Sequence, residues 1–158
     1  MILVRCNEAD RKALESISVD PEAMQDDGME YLDVKVDKPW GYETERYRNE
    51  EVSVWKLIIN KHHETSMHCH PNKTTLLMVV KGIAELHTLE GQRVLTDGDV
   101  VIIEKGAFHK TISHSTPLVM YELETPPNKR DLVRLSDHYN RGQGYEKVGI
   151  ETHENQQS

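Results

Sequence analysis

From residue 52 onward, apolar residues recur in short alternating segments that glycine, proline or polar residues separate from one another. Alternation with a period of two is typical of a β-strand that buries one face. The pattern predicts eight strands, over residues 52–59, 65–70, 75–81, 83–88, 92–96, 100–103, 108–113 and 118–123. Because no long helical segment interrupts them, we expect an all-β fold, a small antiparallel jelly-roll barrel rather than a parallel sheet.

The N-terminal 37 residues have a different pattern and are predicted to pack on the barrel as a helix and an arm. Asn7 is a suitable N-cap, and Ala13, Leu14 and Ile17 recur at helical spacing. An acidic, turn-forming loop over residues 20–28 leads to a short alternating stretch around Val34 and Val36.

The barrel itself is predicted to span residues 38–146. After Pro126 and Pro127 the strand pattern stops, and residues 130–137 are interpreted as a short C-terminal helical segment or turn lying against the barrel. Residues 147–158 lack apolar periodicity, so we expect a flexible tail there.

Charge narrows the possible partners. The chain of 158 residues has 27 acidic and 19 basic residues and a formal net charge of -8, which opposes binding to nucleic acid or to an anionic membrane surface. An anionic small molecule would therefore need a local basic pocket. No apolar run is long enough to span a bilayer, and the apolar start is too short for a secretory signal, so we expect a cytoplasmic protein.

Three histidines form the pattern with the clearest chemistry. His68 and His70 are two residues apart on a predicted strand, so their side chains project from the same face, and His109 on a later strand can complete a three-nitrogen metal site. Cys69 lies between them and should point to the opposite face as a wall residue. The alternative is that the three are ordinary surface or core histidines without a metal.

The segment HCH at 68–70, Gly82 and the segment DGDVVIIEKGAFH at 97–109 resemble the two motifs of the cupin superfamily. The resemblance implies one divalent metal ion, Zn, Fe, Mn or Ni, held by His68, His70 and His109 inside the barrel. Three positions depart from the family pattern, and one of them is His62, which replaces the first glycine of the first motif. Thr75 stands where the family usually has a glutamate ligand, and Glu104 stands where it usually has a proline.

Further segments, KPWGYE at 38–43, YELET at 121–125 and RDLVRLSDHYNRGQGYE at 130–146, resemble the isomerase domain of type II mannose-6-phosphate isomerases. This resemblance implies a sugar or sugar-phosphate substrate, Glu122 as the catalytic acid or base and Arg134 as the group that binds the substrate anion. Tyr121 and Thr75 are further substrate-binding candidates. The alternatives are an ion-paired Glu122 on the outer face of the barrel, and a surface Arg134 paired with Asp131 or Asp137.

Two other functions remain open at this point. The missing glutamate ligand is compatible with a three-histidine non-haem iron dioxygenase, and the altered motifs are compatible with a non-catalytic sugar-binding cupin in polysaccharide metabolism. We also expect a homodimer, in which residues 31–36 add to the sheet of the partner chain.

Overall fold

The computed structural model describes residues 1–143 and the backbone of residues 150–151. One α-helix, α1 (Glu8–Glu15), and one 3-10 turn (Glu22–Met24) precede most of the strands. The strands are β1 (Ile2–Val4), β2 (Lys35–Lys38), β3 (Gly41–Arg48), β4 (Ser53–Ile59), β5 (Met67–Cys69), β6 (Thr74–Lys81), β7 (Ala84–Thr88), β8 (Gln92–Leu95), β9 (Val100–Ile103), β10 (His109–Ser113), β11 (Leu118–Thr125), β12 (Val133–Ser136) and β13 (Ile150–Glu151).

The strands form two sheets. The large sheet has the order β1-β9-β6-β11-β4-β3-β2-β13, and the small sheet has the order β12-β5-β10-β7-β8. Every pairing is antiparallel except that of β1 with β9. The predicted all-β jelly roll is therefore confirmed. Among the described residues, no helix has the length and apolar character needed to cross a bilayer.

The interior of the barrel follows from the alternation of each strand. In β4, for example, Trp55, Leu57 and Ile59 are buried, while the residues between them are only partly covered. Trp55 packs against Tyr31 of the N-terminal arm, with ring centroids 5.5 Å apart. Burial of this apolar surface is the main stabilising contribution to such a fold.

The predicted N-terminal helix is present and is joined to the small sheet. The Asn7 side chain accepts from the Asp10 backbone N–H, and the Asp10 carboxylate accepts from the Asn7 N–H, which completes a capping box. The second oxygen of the Asp10 carboxylate accepts from the Phe108 N–H at 2.9 Å. Nearby, the Cys6 N–H donates to Glu104 Oε2 at 2.8 Å. The arm is thus anchored on both sides of the turn that leads into β10.

The expectation of a helical segment or turn over residues 130–137 is wrong. Residues 133–136 form β12, which pairs with β5 at the edge of the small sheet. Val133 and Arg134 are both buried, and pairing with β5 supplies hydrogen-bond partners for backbone groups that are removed from water. The short apolar run gave too little periodicity to distinguish the two.

The hairpin of β2 and β3 is larger than the sequence predicts, because only the residues around Val34 and Val36 alternate in the way that is typical of a strand. Polar residues dominate β3, yet Glu43 and Glu45 are among its inward, buried positions. β2 pairs with β3 of the same chain, and the predicted boundary at residue 37 falls inside β2. The predicted tail, residues 147–158, lies outside the described residues except for 150–151, whose backbone pairs with β2 as β13.

Gly41 lies where the backbone of β3 comes very close to that of β4. Its φ is +150°, and a Cβ at this position would lie 2.0 Å from the carbonyl oxygen of Ile58. We expect Gly41→Ala to lower the free energy of unfolding by about 2–4 kcal/mol, because backbone strain and overlap both act at a paired position. The matched control is Gly91→Ala, where nothing lies within 4 Å of the added Cβ. Urea unfolding of both variants measures the difference, and equal midpoints would contradict the expectation.

Candidate metal centre

The register of the small sheet brings the metal-ligand candidates together. His109 in β10 is the direct partner of His68 in β5, and Arg134 in β12 is the partner of His68 on its other side. His70 follows β5 two residues after His68, so alternation returns it to the same face. One ring nitrogen of each of the three histidines lies within 4.8 Å of the others.

Hydrogen bonds orient all three rings in the same way. Nδ1 of His68 lies 2.8 Å from the carbonyl oxygen of Ser66, Nδ1 of His70 lies 2.7 Å from that of Asp131, and Nδ1 of His109 lies 2.9 Å from that of Ala107. A carbonyl oxygen can only accept, so each Nδ1 carries the proton and donates it. The three Nε2 atoms are therefore the ones left with lone pairs available for a metal ion.

The electrostatic environment keeps these rings neutral. Burial lowers the pKa of His68 and His70 well below the usual range, and the neighbouring His109 and Lys73, respectively, add to the effect. Burial also lowers the pKa of His109, although Glu122 opposes this. Nε2 of His70 is buried and has no hydrogen-bond partner. Three neutral imidazoles and an orphaned buried acceptor fit a divalent cation, because the cation would satisfy lone pairs that otherwise remain unpaired.

An open pocket is lined by two of the three histidines, His68 and His70. Although the chain is acidic as a whole, the described residues that line this pocket include five basic side chains and two acidic ones. The basic residues are Lys38, Lys73, Lys129, Arg134 and Arg141, and the acidic residues are Glu43 and Glu122.

Glu122 and Lys129 form the central ion pair of the pocket. Lys129 Nζ donates to Glu122 Oε1 at 3.2 Å, lies 3.5 Å from Glu43 Oε1 and sits 4.0 Å above the Trp55 ring. Burial alone would raise the pKa of Glu122, but the cations of Lys129 and Lys73 outweigh it and hold that pKa below its ordinary value. Glu122 is therefore an ionised carboxylate, although it is almost fully buried.

Two further lysines, Lys73 and Lys38, line the pocket. Lys73 is buried, pairs with Glu124 and donates to the carbonyl oxygen of Asn128 at 2.8 Å. Lys38 lies 3.8 Å from Glu43, and burial lowers its pKa to about 8 despite this carboxylate. Lys38 thus loses its proton more readily than an ordinary lysine.

The arginines belong to β12 and to the segment that directly follows it. Arg134 is buried beside His68, and its Nη1 donates to the carbonyl oxygen of Gly142 at 2.6 Å. The guanidinium of Arg141 donates to both carboxylate oxygens of Asp137, at 2.9 and 3.0 Å. Both groups line the pocket, where a planar guanidinium can bind two oxygens of one anion.

Residues 55–124 match the model of the cupin domain family. The fold is a cupin jelly roll. These residues run from β4 to β11 and contain all three histidines, whereas Lys38, Lys129 and Arg134 lie outside them. No match to the chain is found among curated proteins.

Solved structures show the same cupin fold at low sequence identity. KdgF from Halomonas sp. is 16% identical with a TM-score of 0.57, over 60% of this chain and 88% of that one. An RmlC-like cupin from Shewanella frigidimarina is 17% identical with a TM-score of 0.56, over 66% and 95%. A sugar phosphate isomerase of the cupin superfamily from Silicibacter pomeroyi is 15% identical with a TM-score of 0.51, over 54% and 59%.

The cupin barrel does not bring every predicted site residue into the pocket. Glu122 and Arg134 line it, but Tyr121 lies on the opposite, outward face of β11. Thr75 is buried in β6 with an unpartnered hydroxyl, and it is not among the residues lining the pocket. Cys69 points away from the histidines and packs with Phe108 and Val133, as expected for a wall residue.

The lysines of the cupin pocket are candidate functional residues that the sequence does not predict. Lys38, Lys73 and Lys129 lie at a strand end or in loops, where a lysine is usually solvated, and no local pattern marks them as buried. The one available signal for Lys38 was its place at the start of the segment KPWGYE.

The geometry predicts that the histidines bind one divalent ion per chain. We expect His70→Ala to lower the affinity for Zn²⁺ or Mn²⁺ by at least about 100-fold, because it removes a buried ligand atom. His63→Ala is the matched control, since His63 lies in a loop before β5 and its Nδ1 contacts only the Lys61 carbonyl. Titration calorimetry of metal-stripped protein measures both. Unchanged affinity in His70→Ala, or an equal loss in His63→Ala, would contradict the assignment.

The lowered histidine pKa values also predict a pH dependence of stability. Without metal, the folded state keeps the three rings neutral, whereas the unfolded chain protonates them near pH 6.5. The unfolded state therefore binds more protons below that pH, and the free energy of unfolding falls as the pH drops from 7.5 to 5.5. The slope reaches at most about 1.4 kcal/mol per pH unit for each ring. Urea unfolding at several pH values measures it, and a slope that persists when all three histidines are replaced by Gln would exclude them as its source.

Proposed function

We propose that this chain is a metal-dependent cupin that binds a phosphorylated sugar and interconverts its aldose and ketose forms. The observation that carries the proposal is a pocket with five basic side chains, in an otherwise acidic chain, that is also lined by two of the three histidines that could hold a metal ion. A divalent ion adds two positive charges to this pocket. Such a site attracts an anionic small molecule, which the charge of the whole chain would repel.

The phosphate would be bound by the arginines. Arg134 and Arg141 come from one short segment and both line the pocket, on the side where β12 pairs with β5. A guanidinium has several N–H donors in one plane, which match the oxygens of a phosphate better than a lysine does. Arg141 would use the donors that its two hydrogen bonds to Asp137 leave over. Anion binding is the role that the resemblance to the isomerase domain assigned to Arg134.

Glu122 would move the proton. Isomerisation requires a base that takes a proton from the carbon beside the carbonyl group and returns it to the neighbouring carbon. Glu122 is ionised and lines the same pocket as His68 and His70. Lys129 holds the carboxylate in place through its 3.2 Å hydrogen bond. When bound, the metal ion supplies Lewis-acid stabilisation of the negative charge that develops on the carbonyl oxygen.

Similarity to known proteins gives secondary support for the proposed isomerase function. Segments 38–43 and 130–146 resemble the isomerase domain, and one structure with the same fold is described as a sugar phosphate isomerase. At 15% identity that neighbour shows the fold alone. Tyr145 and Glu146, at the end of the resembling segment, lie outside the described residues.

The test is turnover of a panel of hexose and pentose phosphates with Zn²⁺, Mn²⁺, Ni²⁺ or Fe²⁺, followed by NMR of the products in D₂O. We expect deuterium to enter at the carbon next to the carbonyl group. Glu122→Gln should lower kcat by about 10²–10⁴-fold with little change in KM, because it removes the base and leaves the anion-binding groups.

The control for this variant is Glu85→Gln. Glu85 lies on the outward face of β7, where it accepts from His87 and His114, so its replacement should leave kcat unchanged. The folding of both variants is checked by thermal unfolding. No exchange and no turnover with any metal would reject the isomerase, as would full activity in Glu122→Gln.

An all-histidine ligand set favours a second candidate, oxygen chemistry at iron. In the described part of the chain the ligand group contains no carboxylate. Thr75 stands at the position of the usual glutamate ligand, and it does not line the pocket. Three neutral ligands leave open positions for oxygen and a bidentate substrate. Oxygen uptake that requires Fe²⁺ and fails with Zn²⁺ would support this candidate. Binding of a sugar phosphate without turnover would instead indicate a non-catalytic sugar-binding cupin.

A further inference from the structure

Lys38 is fixed at one side of the pocket by the turn between β2 and β3. It is the last residue of β2 and pairs with Gly41, so only Pro39 and Trp40 separate the two strands. The Trp40 carbonyl oxygen accepts from the Asn60 N–H at 2.8 Å, and the buried Trp40 side chain lines the pocket together with Lys38. The Lys38 side chain is only 8% exposed. It therefore belongs to the pocket and not to the solvated surface.

The amines of Lys38 and Lys129 share one carboxylate. Glu43 Oε1 lies 3.8 Å from Lys38 Nζ and 3.5 Å from Lys129 Nζ. Lys129 also donates to Glu122 at 3.2 Å. These contacts form a chain of alternating charges that runs from Lys38 to Glu122, the proposed base. Both ends of the chain line the pocket.

The two amines differ in how readily they give up a proton. Burial opposes the charge of Lys129, but the nearby carboxylates outweigh it and raise the pKa of this lysine. Burial lowers the pKa of Lys38 to about 8, and Glu43 only partly offsets this. The cations of Lys129, Arg141 and Arg134 add to the shift. Lys129 therefore stays protonated, whereas Lys38 can donate a proton and take one back near neutral pH.

The proposed isomerisation includes a second proton transfer besides the one assigned to Glu122. When an aldose becomes a ketose, one proton moves from the carbon beside the carbonyl group to the carbonyl carbon. Another proton moves from the hydroxyl group on the first of these carbons to the carbonyl oxygen. This second transfer requires a group that donates to one oxygen and accepts from the other. Lys73 is poorly placed for it, because it is held by Glu124 and by the Asn128 carbonyl oxygen.

We infer that Lys38 is a catalytic residue of this site, which donates a proton to the carbonyl oxygen of the aldose and takes the hydroxyl proton from the neighbouring carbon. The inference rests on the proposed isomerase function and adds the group that completes it. The protons balance, because the ammonium group gives up one proton and the amine regains one in each turnover. Glu122 carries the carbon-bound proton in the same cycle. The electron pair of the broken C–H bond enters the enediolate and then forms the new C–H bond.

Lys38→Arg tests the inference, because a guanidinium keeps the positive charge but does not release its proton near neutral pH. The assay uses D₂O, a divalent metal ion and the sugar phosphate that wild-type protein converts. NMR then measures two rates, the entry of deuterium into the remaining substrate and the formation of product. In Lys38→Arg, Glu122 still removes the carbon-bound proton, so exchange continues, whereas product formation lacks the transfer between the oxygens. We expect kcat for product formation to fall about 10²–10³-fold, and its ratio to exchange to fall at least about tenfold.

The pH dependence of the wild type gives a second measurement of the same proton. We expect kcat/KM to fall as the pH rises through about 8, because Lys38 must carry its proton to donate it. The charged groups that act on Lys38 are Glu43, Lys129, Arg134 and Arg141. Lys129 has a raised pKa and the arginines stay charged, so none of these three cations loses its proton first. The alkaline loss of activity should be absent in Lys38→Arg, whereas a purely structural role would leave it in place.

The matched control is Lys61→Arg, in the exposed loop before β5, which should keep the wild-type product ratio and pH profile. Thermal unfolding checks that both variants are folded. Wild-type product formation in Lys38→Arg, or an alkaline loss that persists in it, overturns the inference and leaves the isomerase intact. If Lys38→Arg does not fold, a wild-type profile without a loss near pH 8 overturns it. Wild-type protein that shows neither exchange nor turnover rejects the proposed function, and this inference with it.

Discussion

The pairing of His109 with His68 across β10 and β5 is the contact on which the rest of the site depends. It places two imidazoles side by side, and the pairing of β12 with β5 then adds Arg134 to the same row. A shift of one residue in either pairing would turn one of these side chains to the other face of the sheet. The candidate metal ligands His68 and His109 and the proposed anion-binding group Arg134 are therefore positioned by backbone hydrogen bonds between strands.

The charges around this row are costly to bury and are held by one another. Isolated, each of the carboxylates Glu43, Glu122 and Glu124 would carry a large desolvation penalty inside the barrel. Lys129 and Lys73 offset this penalty through short ion pairs, and Trp55 contributes a cation–π contact to Lys129. The interior at this end of the barrel is thus a polar network rather than an apolar core. Buried networks of this kind are typical of sites that bind or transform a ligand.

Much of the fold could be predicted from the sequence, because alternation from residue 52 onward matches strands β4 to β11 closely. The three histidines could be predicted too, since a spacing of two residues and a third histidine on a later strand have a direct geometric meaning. The β12 segment could not, because its burial depends on pairing with β5, more than sixty residues earlier. For the same reason the buried lysines were missed: the burial of Lys73 and Lys129 results from tertiary contacts with Glu124 and Glu122.

Glu104 appeared in the sequence as a departure from the motif that contains His109, since a proline is usual there. In the fold its carboxylate binds the backbone of Cys6, while Asp10 binds the backbone of Phe108, the residue directly before His109. The turn before His109 is consequently braced from outside by a segment that begins about a hundred positions earlier in the chain. A proline stiffens such a turn through its own ring. In this protein the N-terminus braces the turn instead, so the position of a candidate metal ligand depends on the first ten residues.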